Sequence, residues 1–421
     1  MTEPSTDGPH GGSTEAVDPS DGPIPDGQVP DGPVPDGRRS WIVAIAGAVG
    51  MVFTFGTAFS YGVFRAPVST TFGVDPVALS TVFSAMLFTF FIGSGIVGIF
   101  AARLPARGVL LACSVVTGLL APSLYVVDSL AGLLVVFATM GLAGGTTFVL
   151  VASIVPRWFR RHRGAATGLV FVGNGVGLTI LPPAWEYAFS TVGVREGFLW
   201  LMGVTAVAFA CTGAVCRRPE WAETSGSSLG ELVVWLRGLV GTRMFQLLVV
   251  GIGLSFAWYQ LFAAYAIDLF AARGLAGGTA SAAFGLVGGV SIASRIGGGY
   301  VADRIGSRLA FIGSLSCVIV GLGALLVPSS STLALGIFLV GLGSGGGATL
   351  YVPLLMEVYS PERDTAIIGV FNLSPGVSAI AMPPLGAATI AYTDGYTTAI
   401  VVTIVITVLG VGLTALATRS D

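Results

Sequence analysis

The chain has 421 residues, 53% of them hydrophobic and only 10% charged, with a mean hydropathy of +0.86 and a net charge of −2. A soluble globular protein carries about 25% charged residues, so the composition excludes a soluble domain and calls for a polytopic membrane protein. The charge is unevenly placed. Residues 1–36 hold eight acidic and no basic groups, while the remainder holds 20 arginines against 14 acidic residues, and lysine is absent.

Residues 1–40 form an acidic Pro/Gly-rich tail with a five-residue repeat at Asp21, Asp26, Asp31 and Asp36. Such a composition cannot bury a core and predicts disorder; it has neither the basic start nor the apolar run of a signal peptide. From Trp41 onward, apolar runs of about 20 residues recur, each long enough to cross a bilayer as a helix. They fall near 41–64, 77–101, 108–127, 132–155, 164–189 and 195–216, then near 244–270, 277–302, 308–327, 331–356, 364–390 and 396–417. The fold expected is all-α, twelve transmembrane helices in two six-helix halves, 41–216 and 244–421. The linker 217–243 has room for a short interfacial helix around Trp235. With the N-terminus inside, sixteen arginines fall on the cytoplasmic side and only Arg65, Arg195 and Arg273 outside. Both termini are therefore expected in the cytoplasm, and the plasma membrane is the expected location.

The two halves align at a shift of about 201 residues: Gly98-IFAARLPAR overlays Gly299-YVADRIGSR, Gly168 overlays Gly369, and Pro182-Pro183 overlays Pro383-Pro384. A duplicated six-helix unit with a midplane site between the halves is the major facilitator plan. One residue breaks the repeat. Arg295 lies inside the eighth apolar run, with no charged neighbour before Asp303, and its partner in the first half is Ser94. A buried arginine costs roughly 2.5–3.5 kcal/mol on insertion scales and normally faces a cavity, a partner or a substrate. Being present in one half only, it is not shared scaffold.

Other polar candidates on central helices are Tyr61, Asn174, Tyr259, Gln260, Tyr351 and Asn372, with Phe148 and Phe371 placed to wall an acyl chain. Each of the polar ones could equally serve as glue between helices. Tyr351 and Asn372 are the preferred pair, since they belong to the same half as Arg295. Glu186, Asp268 and Glu357 sit near span ends, where interfacial solvation explains them at least as well as proton transfer. The four cysteines read as small buried hydrophobes, with no disulfide or metal spacing, and neither His10 nor His162 lies in an apolar run.

Gly299-YVADRIGSR resembles the major facilitator signature between helices 8 and 9. The resemblance implies that Asp303, Arg304 and Arg308 latch a cytoplasmic gate; in the first half Ala102 replaces the aspartate. Pro156-RWFRRHRGAATGLVFVGNGVG, with SYGVFRAPV at Ser60–Val68, GVREGF at Gly193–Phe198 and Arg295, resembles the monocarboxylate transporter family, including its oxalate/formate-exchanging prokaryotic members. That resemblance implies a secondary carrier of small organic anions, in which Arg295 is the counter-charge to a carboxylate. A guanidinium suits this task because it stays charged and grips carboxylate bidentately. Proton-coupled uptake of a monocarboxylate such as lactate or pyruvate is the expected activity. The alternatives are proton-independent exchange of the oxalate/formate type, or a major facilitator carrier of an unrelated substrate. Relatives often have an acidic residue one turn before the arginine, where this chain has Ser291, or a membrane lysine. A single cation favours a monocarboxylate over a dicarboxylate. No catalytic residue, cofactor, metal ion or nucleic-acid partner is expected, and the carrier is expected to act as a monomer in the bilayer.

Overall fold

A computed structural model describes residues 34–219, 229–275, 278–359 and 364–419; the acidic tail up to residue 33 lies outside the described residues. Among the described residues, twelve helices are long and apolar enough to cross a membrane. Spans 1 to 6 are Arg38–Phe59, Pro76–Phe100, Ala106–Tyr125, Leu130–Trp158, Arg163–Val192 and Val194–Val215. Spans 7 to 12 are Arg243–Ala272, Gly278–Ile305, Ser307–Ala324, Ser330–Val358, Ala366–Thr393 and Thr397–Ala417. Helix is the form that satisfies every backbone donor and acceptor inside one segment, which lipid demands. The linker contains a short helix, Leu229–Val240.

Span ends follow local chemistry. Asp75 accepts hydrogen bonds from the backbone N–H of Val77 and Ala78, both at 2.9 Å, and Pro76 opens span 2 where its missing N–H is harmless. Gly306 turns the chain between spans 8 and 9 at φ +83°, a left-handed value that favours glycine. Spans 1 and 7 are interrupted at the level of the cavity's own helices. Span 1 stops at Ser60 and continues as a second helix, Tyr61–Phe72. Span 7 breaks at Phe256, between the helices Arg243–Ser255 and Ala257–Ala272.

The packing repeats at the shift seen in the sequence. Gly145 has no room for a methyl group because its Cβ would run into the Phe90 carbonyl oxygen; Gly345 is blocked in the same way by the Ser291 carbonyl oxygen. Gly173 and Gly177 of span 5 press on the carbonyl oxygens of Ala48 and Val52 in span 1. At the corresponding places of spans 11 and 7, Ser374 donates to the Val249 carbonyl and Ser378 donates to that of Gly253 at 3.1 Å. Glycine in one half and serine in the other thus solve the same problem, bringing two backbones close without leaving a carbonyl strained or unmet.

The halves meet along two seams. In one, Gly175 of span 5 packs against Ile292 of span 8, and Gly288 against Leu178 and Thr179. In the other, Gly98 of span 2 faces Gly369 of span 11 backbone to backbone. At the face opposite the start of span 1 and the end of span 12, Arg65 of the first half pairs with Asp268 of the second and lies 5.0 Å above the Tyr265 ring. Nearby, Ser281 of span 8 donates to Glu186 of span 5.

At the other face, the last repeat of the acidic tail is tied down. The Asp36 carboxylate accepts the backbone N–H groups of Arg160 and Arg161 at 3.0 Å and of His162 at 2.9 Å, while its own N–H donates to the Trp158 carbonyl at 3.1 Å. These amides precede the helix that starts at Arg163, where unsatisfied N–H groups attract an anion. The amide donors, that of Arg161 foremost, hold the Asp36 carboxyl well below the usual carboxylate range. His162, itself exposed, joins this contact through Nδ1 at 3.1 Å.

Candidate functional site

Between the halves lies a cavity of about 70 Å³. A water needs about 10–15 Å³ of such space, so there is room for several waters or for one molecule of a few heavy atoms. Its wall is mostly aromatic, with Phe55, Phe90, Phe91 and Phe148 from the first half and Phe256, Trp258, Tyr259 and Phe371 from the second. The break in span 7 falls at this wall and turns Trp258, Tyr259 and Gln260 toward it.

Arg295 lines the cavity and is 4% exposed. Its Nε and Nη1 have no hydrogen-bond partner, and the Tyr259 hydroxyl, also without one, lies within electrostatic range of the guanidinium. Both amide atoms of Gln260, Nε2 and Oε1, are buried and unpartnered, as are Asn174 Oδ1 and Trp258 Nε1. A buried polar atom left unpaired costs about 1–3 kcal/mol, and more when charged. Several such groups around one cavity leave donors and acceptors that a bound polar molecule can pair with.

Tyr351 and Asn372 also line the cavity, but they satisfy one another: the Tyr351 hydroxyl donates to Asn372 Oδ1 and Asn372 Nδ2 donates to Ser94 Oγ, each at 2.9 Å. The expected pair is therefore a hydrogen-bonded link between span 10, span 11 and span 2. Ser94, the sequence counterpart of Arg295, serves as the contact to the opposite half. Asn174, Phe148, Phe371, Tyr259 and Gln260 line the cavity as expected. Tyr61 does not. It is 1% exposed, stacks on Phe83 with ring centroids 4.4 Å apart, and donates to the Leu79 carbonyl at 2.5 Å, so its hydroxyl is spent inside the first half.

The signature turn binds within its own half. Asp303 is exposed, and Arg304 lies 4.2 Å above Tyr300, one turn back on the same helix. Arg308 donates to Thr418 Oγ1 and to the Ala415 carbonyl, both at 3.0 Å, holding the end of span 12. In this conformation these three residues form no latch to the first half among the described residues. The cross-half ion pair described above, Arg65–Asp268, sits at the opposite face. Asp268, Glu186 and Glu357, expected to be solvated, each have a protein partner, that of Glu357 being the Ser307 N–H at 3.1 Å.

Twelve membrane-spanning helices in two related halves around a central cavity define an integral membrane carrier. The family model of the Major Facilitator Superfamily matches residues 46–326 and 247–421, and the chain belongs to that superfamily. It is a multi-pass membrane transporter and not an enzyme. Monocarboxylate transporter 3 of Rattus norvegicus is 29% identical over 369 residues, covering 82% of this chain and 72% of that protein. Monocarboxylate transporter 2 of Meriones unguiculatus is 23% identical over 377 residues, covering 82% and 77%. The MFS-type transporter pytF of Aspergillus terreus is 29% identical over 281 residues, covering 64% and 90%. Among solved structures, a point mutant of the nucleoside transporter NupG superposes with a TM-score of 0.71 at 12% identity, covering 91% of this chain and 100% of that one. At that identity the likeness speaks for the fold alone.

Proposed function

We propose that the protein carries a small monocarboxylate across the plasma membrane by alternating access, with Arg295 as the counter-charge and both termini in the cytoplasm. The observation that carries this reading is a buried guanidinium with two unpartnered donor nitrogens facing a mostly aromatic cavity. Such a charge is completed by an anion, and a carboxylate fits its fork. Similarity to monocarboxylate transporters supports the same substrate class. Proton symport is the coupling we propose: the carboxylate balances the charge of Arg295 in the loaded site, and a proton carried with it leaves net transport electroneutral.

A second reading, proton-independent anion exchange, draws on one observation. Among the described residues lining the cavity there is no aspartate, glutamate or histidine to relay a proton. Uptake of radiolabelled lactate, pyruvate, acetate and oxalate into proteoliposomes separates the two. Uptake of a monocarboxylate driven by an inward proton gradient supports symport. Uptake that needs only a preloaded anion supports exchange. Full activity of Arg295→Gln would remove the carboxylate site from the proposal.

A further inference from the structure

We propose that residues 1–33 bind the arginine-rich face of the first half of their own chain, carboxylate to guanidinium, starting from the anchored Asp36. The charge on that face is one-sided. Between residues 37 and 216, the segments at the face where span 1 begins hold eight arginines. The four acidic residues of that stretch, Asp75, Asp128, Glu186 and Glu196, all fall at the opposite face. From residue 217 onward, the segments on the arginine-bearing side hold eight arginines and eight acidic residues, a balance within themselves. The first half has no such balance of its own. Residues 1–36 supply it, with eight acidic groups and no basic one; seven belong to residues 1–33 and the eighth is Asp36.

The described end of the tail shows how one unit binds. Asp36 stands in the left-handed region at φ +60°, which aspartate tolerates, and its carboxylate meets three consecutive amides of the loop between spans 4 and 5. This contact uses backbone groups and His162, and the Arg38, Arg39, Arg160 and Arg161 side chains stay exposed around it. The Pro-Asp-Gly triplet of this anchor, 35–37, also occurs at 25–27 and 30–32. A Pro-rich chain extends by about 3.1 Å per residue, so carboxylates five residues apart can stand about 15 Å from one another. Asp31, Asp26 and Asp21 can therefore reach guanidinium groups at increasing distance from the anchor. Single exposed ion pairs are weak. With one end already fixed by Asp36, each further pair forms within the same chain, and weak pairs add up. Anionic lipid headgroups compete for the same arginines, but they are not tethered there.

The test is the distance distribution between two spin labels on the full chain in phosphatidylcholine nanodiscs. The labels go on Ile24→Cys in the tail and Ala165→Cys, exposed at the start of span 5, with the four native cysteines changed to serine. A free linker samples a broad range of distances, so docking should make the distribution at least about twofold narrower than in the triple variant Asp21→Asn, Asp26→Asn, Asp31→Asn. That variant keeps Asp36 and its contact. Arg160→Gln with Arg161→Gln should broaden the distribution toward that of the triple variant, and so should salt at about 1 M, where the screening length is about 3 Å. A distribution equally broad in all of these overturns the proposal, as does a narrow one that survives loss of the three aspartates. With about a third of the lipid replaced by phosphatidylglycerol the narrow distribution should persist; broadening there assigns the arginines to lipid headgroups and overturns it. If the cysteine-free chain does not fold, hydrogen exchange of the tail amides in the native chain decides. It should be at least about twofold slower than in the triple variant, and equal rates overturn the docking. Transport and Arg295 enter none of these measurements.

Discussion

The two halves share a scaffold but divide the work at the cavity. Gly145 against Phe90 and Gly345 against Ser291 are the same contact made twice, as are Gly173 on Ala48 and Ser374 on Val249. Inside the cavity the likeness ends. The first half supplies Phe55, Phe90, Phe91, Phe148 and one polar side chain, Asn174, while the second supplies Arg295, Tyr259, Gln260, Ser344, Tyr351 and Asn372. Duplication fixed how helices approach one another, because close backbone contact tolerates few residue types. Side chains facing the cavity were free to diverge, and the polar chemistry gathered on one side.

If that division is right, scaffold substitutions should act alike in both halves and cavity substitutions should not. The largest effect is expected from Gly145→Val and Gly345→Val. Each forces a side chain into a neighbouring carbonyl and should prevent recovery of monodisperse protein by gel filtration in detergent. Next, Arg295→Gln should lower uptake by about a hundredfold or more, as loss of a charge-assisted bidentate contact of about 3 kcal/mol implies, with thermal stability kept. Ser94→Ala, at the equivalent place in the first half, should change uptake only a few-fold. Equal losses in the two would contradict the asymmetry.

A smaller effect should follow Asp268→Asn. Its pair with Arg65 joins the halves but is partly exposed, at 24% and 20%, so its strength is discounted to about 1 kcal/mol. The expected outcome is a shift of about fivefold in population toward opening at that face. Spin labels at Tyr187 and Tyr392, exposed on spans 5 and 11 near that face, would read it as a longer distance. The smallest effect belongs to Asp36→Ala, which should speed amide exchange at Arg160, Arg161 and His162 without abolishing uptake. Asp36 is held below the usual carboxylate range, so its contribution is fully present above about pH 4 and is lost as pH falls through its lowered value. Exchange at these amides in wild type should therefore be flat from neutral pH down to about 4 once intrinsic rates are corrected for.

The spans were legible because apolar length alone defines a membrane helix. Arg295 was legible because a charge inside such a run has few explanations. Gln260 and Tyr259 could be listed as polar residues on a central helix, yet nothing in the sequence told them apart from Tyr61, since helical position does not say which way a hydroxyl points. The breaks at Ser60 and Phe256 carry no proline to announce them. Arg65 and Asp268 stand 203 positions apart, each at a span end where solvation and pairing look the same in sequence. The aromatic wall was mostly missed, because Phe55, Phe90, Phe91 and Phe256 have the composition of any lipid-facing surface.

The facing glycines at Gly98 and Gly369 have a mechanical consequence. Interlocked side chains must change rotamer before two helices can part, and each such change adds friction to the motion. Two bare backbones present a smooth bearing at that point, along which one half can tilt against the other once the Asn372–Ser94 hydrogen bond across the same seam opens. Wear on such a bearing would come from a single added methyl group, which would jam the carrier while leaving each half folded.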